Sequence, residues 1–152
     1  MYDLIVIGAG PAGSAAAKTA ADGGRRVLLV EMKKMPRNKS CSGLLIQKSL
    51  RLVSEVFGAE PPSDVLCAPT DNHGMIFINE EGREFRFVQL GLNIWRHSFD
   101  HWLAQLAAGA GAEVRDSTAA LACNEQNGTV TVEMSSGGKK YTEQAAAVIV
   151  CE

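Results

Sequence analysis

Gly8, Gly10 and Gly13 carry the chemistry that is simplest to name in this chain, because G-x-G-x-x-G spacing suits a backbone wrapped around phosphate. The three positions differ in what they allow. Gly8 permits a tight turn, Gly10 lets the backbone approach a pyrophosphate, and Gly13 allows a helix to pack closely on a strand. Ala12 opens the following helix, whose first N–H groups lack partners and present about half a positive charge to an anion. Glu31 closes the next apolar run, where its carboxylate can accept hydrogen bonds from ribose hydroxyls. An acid there disfavours a 2'-phosphate, so NADP is not expected at this site.

Glycine turns without ligands are common, so the motif gains its meaning from the elements around it. Leu4–Ile7 is a short β-branched run bounded by "GAGPAG", the pattern of a strand buried on both faces. Ala12–Ala21 reads as an alanine-rich helix, Gly23 and Gly24 stop it, and "RVLLVE", Arg26–Glu31, is a second buried strand. The first 31 residues therefore form a βαβ unit, and dinucleotide binding is the expected function.

Beyond Glu31, "MKKMPRNKSCSG" reads as an exposed loop carrying Lys33, Lys34, Arg37 and Lys39. The spacing of Leu45, Leu50, Leu52, Val53, Val56 and Phe57 predicts a helix from Leu44 that ends at Gly58. Two alternating runs around Glu80–Gly82 predict a hairpin inserted at about residues 73–90. A helix over 98–108 follows, with Ser98 as N-cap and Phe99, Trp102, Leu103 and Leu106 on one face. Strand structure resumes at Val114. Asn127-Gly128 and Gly137-Gly138 then mark the turns of a β-meander that precedes a last apolar run, Ala145–Val150.

A plain NAD domain would continue with βα repeats, whereas a meander in place of a crossover helix is the flavoprotein arrangement. Taken in order, "YDLIVIGAGPAGSAAA", "VLLVEMKKMPRNKSCSGLL", "WRHSFDHWLAQLAAGAGAEV" and "AAVIVCE" resemble successive landmarks of the FAD-dependent geranylgeranyl reductase family, among the p-hydroxybenzoate hydroxylase-like flavoproteins. The first stretch is shared by many flavoproteins; the Cys-small-Gly after the basic loop and the Arg-x-x-Phe-Asp before the later helix are narrower. This resemblance implies an α/β fold: a Rossmann-like FAD-binding βαβ with a central parallel sheet, a meander and an added hairpin, over residues 1–152.

By the same resemblance, Gly8, Gly10, Pro11, Ala12 and Gly13 would surround the pyrophosphate of FAD and Glu31 its ribose. Arg96 would contact the cofactor, the strand at Ala120 would pass the adenine, and Cys41 and Ser42 would lie beside the flavin. In such reductases reduced flavin delivers hydride to a prenyl double bond, so the implied partner is a small-molecule or prenyl-lipid substrate, with the electron donor unspecified. The family pattern continues past Cys151 and Glu152 into a Gly-Asp segment and most of a lipid tunnel, so this chain matches an N-terminal part. Other readings are an FAD-dependent monooxygenase or halogenase, a non-catalytic dinucleotide-binding fragment, and an NAD domain.

Composition narrows the partners. The 152 residues are 46% hydrophobic and 21% charged, with a net charge of -2, an ordinary globular balance without a nucleic-acid footprint. Cys41, Cys67, Cys123 and Cys151 are far apart, which argues against a zinc cluster or disulfide framework and for a reducing cytoplasm. Leu4–Ile7 is too short for a signal peptide core or a membrane span. His97 and His101 flank Asp100 at helical spacing, but a third ligand for a metal is missing, and a solvated helix face is expected; His73 is isolated. The basic run from Lys33 to Lys39 could attract the cofactor phosphates or an anionic lipid surface, a solvated loop is an equal expectation, and peripheral membrane contact rests on the lipid substrate of the analogy alone. No side chain stands out as a catalytic acid or base, and Cys41 is read as packing or a cofactor neighbour before a nucleophile.

Overall fold

The computed structural model of the chain describes residues 1–151, and the expectation attached to Glu152 lies outside them. The chain divides into two compact units, one made of Met1–Asn38 and the stretch from Asp100 onward, the other of Lys39–Phe99.

The first unit is built on β1 (Tyr2–Ile7), α1 (Pro11–Asp22) and β2 (Val27–Val30), the predicted βαβ. β1 and β2 pair in parallel with Ile7 opposite Val30, and β2 pairs in parallel with β6 (Glu113–Arg115). β7 (Thr118–Gln126), β8 (Thr129–Ser136) and β9 (Lys139–Val150) form the meander. The six strands lie in the order β6-β2-β1-β9-β8-β7. β9 is one continuous strand: its first half pairs antiparallel with β8, and Ala145–Val150 runs parallel to β1. The expected final strand and the meander are therefore joined without a turn, and the central sheet is mixed at this point.

Side chains alternate across a strand, and both central strands use both faces. Val6, Val27 and Leu29 pack with Ala17 of α1 and with Ala104 and Ala107 of α3 (Arg96–Gly109). Ile5, Ile7, Leu28 and Val30 pack on the other face with Val132 and Met134 of the meander. Small alanines on the helices let them lie close to the sheet, and each fully buried Val, Leu or Ile contributes about 1.5–3 kcal/mol. α3 begins at Arg96, where Trp95 O accepts from Phe99 N at 2.9 Å, so Ser98 sits inside the first turn and is not the cap predicted for it.

The second unit holds β3 (Leu44–Ile46), α2 (Gln47–Phe57), β4 (Leu66–Ile78) and β5 (Glu84–Ile94). Its sheet has the order β3-β5-β4, with the predicted hairpin extended at both ends. The helix expected from Leu44 starts at Gln47 because Leu44–Ile46 pair with Gly91–Asn93, a non-local ladder that outweighs local helical spacing. α2 buries Val53 and Phe57, whereas Leu52, expected on the same face, is exposed. No helix among the described residues is long and apolar enough to cross a membrane.

Candidate functional site

The turn from β1 into α1 is shaped by two glycines. Gly8 adopts φ 99°, a left-handed conformation that residues with a Cβ rarely take, and its N–H bonds Val30 O at 2.8 Å. Gly13 lies against that turn so closely that an added Cβ would stand 1.8 Å from Gly8 O. Gly10 is the N-cap, extended at φ -82° and ψ -176°, and a Cβ added there would meet only Arg37 Nη2, at 3.8 Å. Its lack of a side chain thus leaves open space, while at Gly13 the same lack permits contact.

Pro11 occupies the first helical position, where its missing N–H costs nothing, and Ala12 is exposed beside it. Ser14 is the first residue whose N–H is taken within the helix, by Gly10 O at 2.9 Å. No side chain caps the end. The N–H groups of Ala12 and Gly13 are therefore left for an anion, and helix N-termini bind phosphate for that reason. Ser14 Oγ is buried without a hydrogen-bond partner.

Glu31 follows β2 directly and is buried. Its Oε2 accepts from Ala9 N at 3.2 Å, which ties the acid to the glycine turn, and lies 2.8 Å from Arg37 Nε. Oε1 accepts from Lys33 N at 3.1 Å. Burial alone would push this carboxyl up, but Arg37 and the Lys33 and Ala9 amides outweigh it and hold Glu31 below the usual carboxylate range. A carboxylate offers about four acceptor sites, so one on Oε1 remains for a single ribose hydroxyl. The donor set and the open space at Gly10 fit the adenosine diphosphate half of a dinucleotide.

Asp100 escapes sequence reasoning, which reads Arg37 only as one of four loop cations that could attract phosphate. Arg37 was expected in a solvated loop, yet its side chain is 9% exposed, and Nη1 donates to Asp100 Oδ2 at 2.9 Å. Asp100 is fully buried. Met35 in the same loop is buried against Val6, Leu29 and Ala104, so the loop is anchored at two points and not exposed along its length. Asp100 sits between His97 and His101 on a helix face expected to be solvated, and its burial is a product of the fold that local spacing does not signal.

Ala120 lies in β7, half-buried against the meander-side core. The strand is tied to the site two residues earlier, where Thr118 N donates to Glu31 O at 2.9 Å. Cys41, Ser42 and Arg96 belong to the second unit. There the structure brings Cys41 and Arg96 into hydrogen-bonding contact, and the thiol is held below its ordinary value by the Gly43 amide first and then by Arg96. Cys41 and Ser42 are both exposed.

Residues 2–152 match the family described as pyridine nucleotide-disulphide oxidoreductase. A digeranylgeranylglycerophospholipid reductase of Methanocella arvoryzae is 34% identical to this chain, over 99% of it and 39% of the relative. The crystal structure of a geranylgeranyl bacteriochlorophyll reductase-like protein from Thermoplasma acidophilum is 25% identical, with a TM-score of 0.85 over 99% of this chain and 39% of that one. A myxobacterial chondrochloren halogenase, described as FAD-dependent, has a TM-score of 0.83 at 22% identity over 99% of this chain and 37% of its own, a likeness of fold. The chain thus spans well under half the length of the curated relatives it matches. The resemblance to the geranylgeranyl reductases extends over nearly all of this chain.

Proposed function

We propose, on the premise that this chain belongs to the pyridine nucleotide-disulphide oxidoreductase family, that it is the FAD-binding part of a reductase acting on prenyl lipids. The observation that carries the reading is the bond from Ala9 N to Glu31 Oε2, because it ties the acid proposed for the ribose to the turn proposed for the phosphate. Ala12 and Gly13 N–H would receive the pyrophosphate, and Oε1 of Glu31 would accept one adenosine ribose hydroxyl. Arg37 Nη2, beside Gly10, would add a charged donor to the phosphate. Pro11 fixes the first turn in helical form before any ligand arrives. The backbone near Ala120 is the proposed adenine neighbour, and Cys41, Ser42 and Arg96 are the proposed flavin-end contacts.

Bound FAD supplies the reducing equivalents for an isoprenoid double bond, while the protein supplies binding and orientation. Identity of 34% with a digeranylgeranylglycerophospholipid reductase over 99% of this chain supports reduction of a prenyl lipid. Peripheral membrane contact would follow from a lipid substrate.

Separate calorimetric titrations with FAD, FMN and NAD test the reading. FAD should bind weakly, in the micromolar range, and FMN, which lacks the adenosine half, should not bind. NAD binding without FAD binding would refute it.

A further inference from the structure

Three buried charges converge on this site from different parts of the chain: Glu31 after β2, Arg37 in the loop, and Asp100 on α3. Glu31 and Arg37 side chains are 8% and 9% exposed and Asp100 0%, so none is held by bulk water. An arginine guanidinium is planar, and gripping it at two nitrogens fixes the orientation of the third. Arg37 meets Glu31 through Nε and Asp100 through Nη1, which leaves Nη2 aimed past Gly10. Lysine could not make this bridge, because an ammonium has no fixed fork.

Glu31 also needs the help. Its two backbone donors, one on each oxygen at 3.2 and 3.1 Å, are at the long end of N–H···O bonds and restrain the carboxylate only weakly. The contact with Arg37, at 2.8 Å, is the short one, and Arg37 is itself restrained by Asp100. We propose that Asp100 is a positioning residue of the dinucleotide site: it holds Arg37, and Arg37 in turn holds the Glu31 carboxylate with one Oε1 acceptor presented to the ribose. This role rests on the function proposed above. It assigns to the acid of "RHSFD" a part in cofactor binding that needs no contact with the cofactor.

The test is calorimetric titration of ADP into the 152-residue chain and its Asp100→Asn, Glu31→Gln and doubly substituted variants. Asp100→Asn should weaken ADP binding about five- to tenfold, and the double variant should lose less than the sum of the single losses, as members of one network do. Independent, additive losses, or wild-type affinity in Asp100→Asn, would overturn the positioning role alone. Failure of the wild-type chain to bind ADP would overturn the parent reading and this role with it. Should Asp100→Asn not fold, Arg37→Lys decides: it keeps the charge and loses the two-point grip, so ADP binding should weaken several-fold, and wild-type affinity in it would overturn the role.

Discussion

A Cβ placed on Gly13 would stand 1.8 Å from Gly8 O, whereas one placed on Gly10 would meet nothing nearer than Arg37 Nη2 at 3.8 Å. The two glycines of one motif therefore serve different ends. Gly13→Ala should destabilise the fold by about 3 kcal/mol or more, the upper range for overpacking, because the obstacle is backbone. Gly10→Ala should cost less than about 1 kcal/mol, the scale of an N-cap change, yet abolish ADP binding by filling the phosphate space. Urea denaturation beside ADP titration separates the two, and a stable Gly13→Ala would contradict the packing described.

Arg37 stands between two buried acids. Arg37→Met takes from both acids the cation that lies between them, so unfolding free energy should drop by about 3–5 kcal/mol, the cost of breaking a buried pair from one side. A loss under about 1 kcal/mol in chemical denaturation would mean that water reaches the pair.

Glu31 is held below its ordinary value, so in the folded chain it stays charged at pH values where the unfolded chain is already taking up a proton. Its contribution is fully present above the unfolded carboxyl range and is lost as pH falls through the lower folded value. Stability measured from pH 7 downward should decline on that limb, and Glu31→Gln should flatten the decline. An unchanged acid limb in Glu31→Gln would show that this carboxylate does not set it.

Ser14 Oγ is buried with no partner. Removing an unsatisfied hydroxyl relieves a desolvation cost, so Ser14→Ala should leave stability unchanged or raise it by about 1 kcal/mol. A comparable loss on thermal or urea unfolding would show that the hydroxyl is bonded in solution.

Cys41 is exposed, and the Gly43 amide and Arg96 favour its thiolate. Alkylation by iodoacetamide should rise with pH around a midpoint below the free-thiol range, about 8.5. Arg96→Gln should slow the reaction at pH 7 by about two- to fivefold and move the midpoint up only part of the way, because the Gly43 amide remains. Mass spectrometry of the labelled Cys41 peptide reads both, and an unmoved midpoint would show that Arg96 does not act on the thiol.

The βαβ start was legible because period, turn residues and glycine spacing all agreed from Leu4 to Glu31, and the structure has β1, α1 and β2 where they point. Leu44–Ile46 misled because helical spacing is local and the pairing with Gly91–Asn93 is not. The continuity of β9 was hidden for a similar reason: nothing at Ala145 marks the residue where one strand changes partners from β8 to β1. Within the site, the backbone elements could be read and the charge pairing could not. Arg37 was one of four loop cations with nothing local to single it out, and only the fold sets Glu31 and Asp100 on either side of it.

That the glycine turn and Glu31 together receive the adenosine diphosphate half of FAD is tested most directly by following backbone amide resonances of the labelled chain during an ADP titration. Saturable shifts should concentrate at Gly8–Ser14 and at Glu31–Lys33, with Ala12 and Gly13 among the largest. Saturable shifts confined to other residues, or none at all at millimolar ADP, would contradict it.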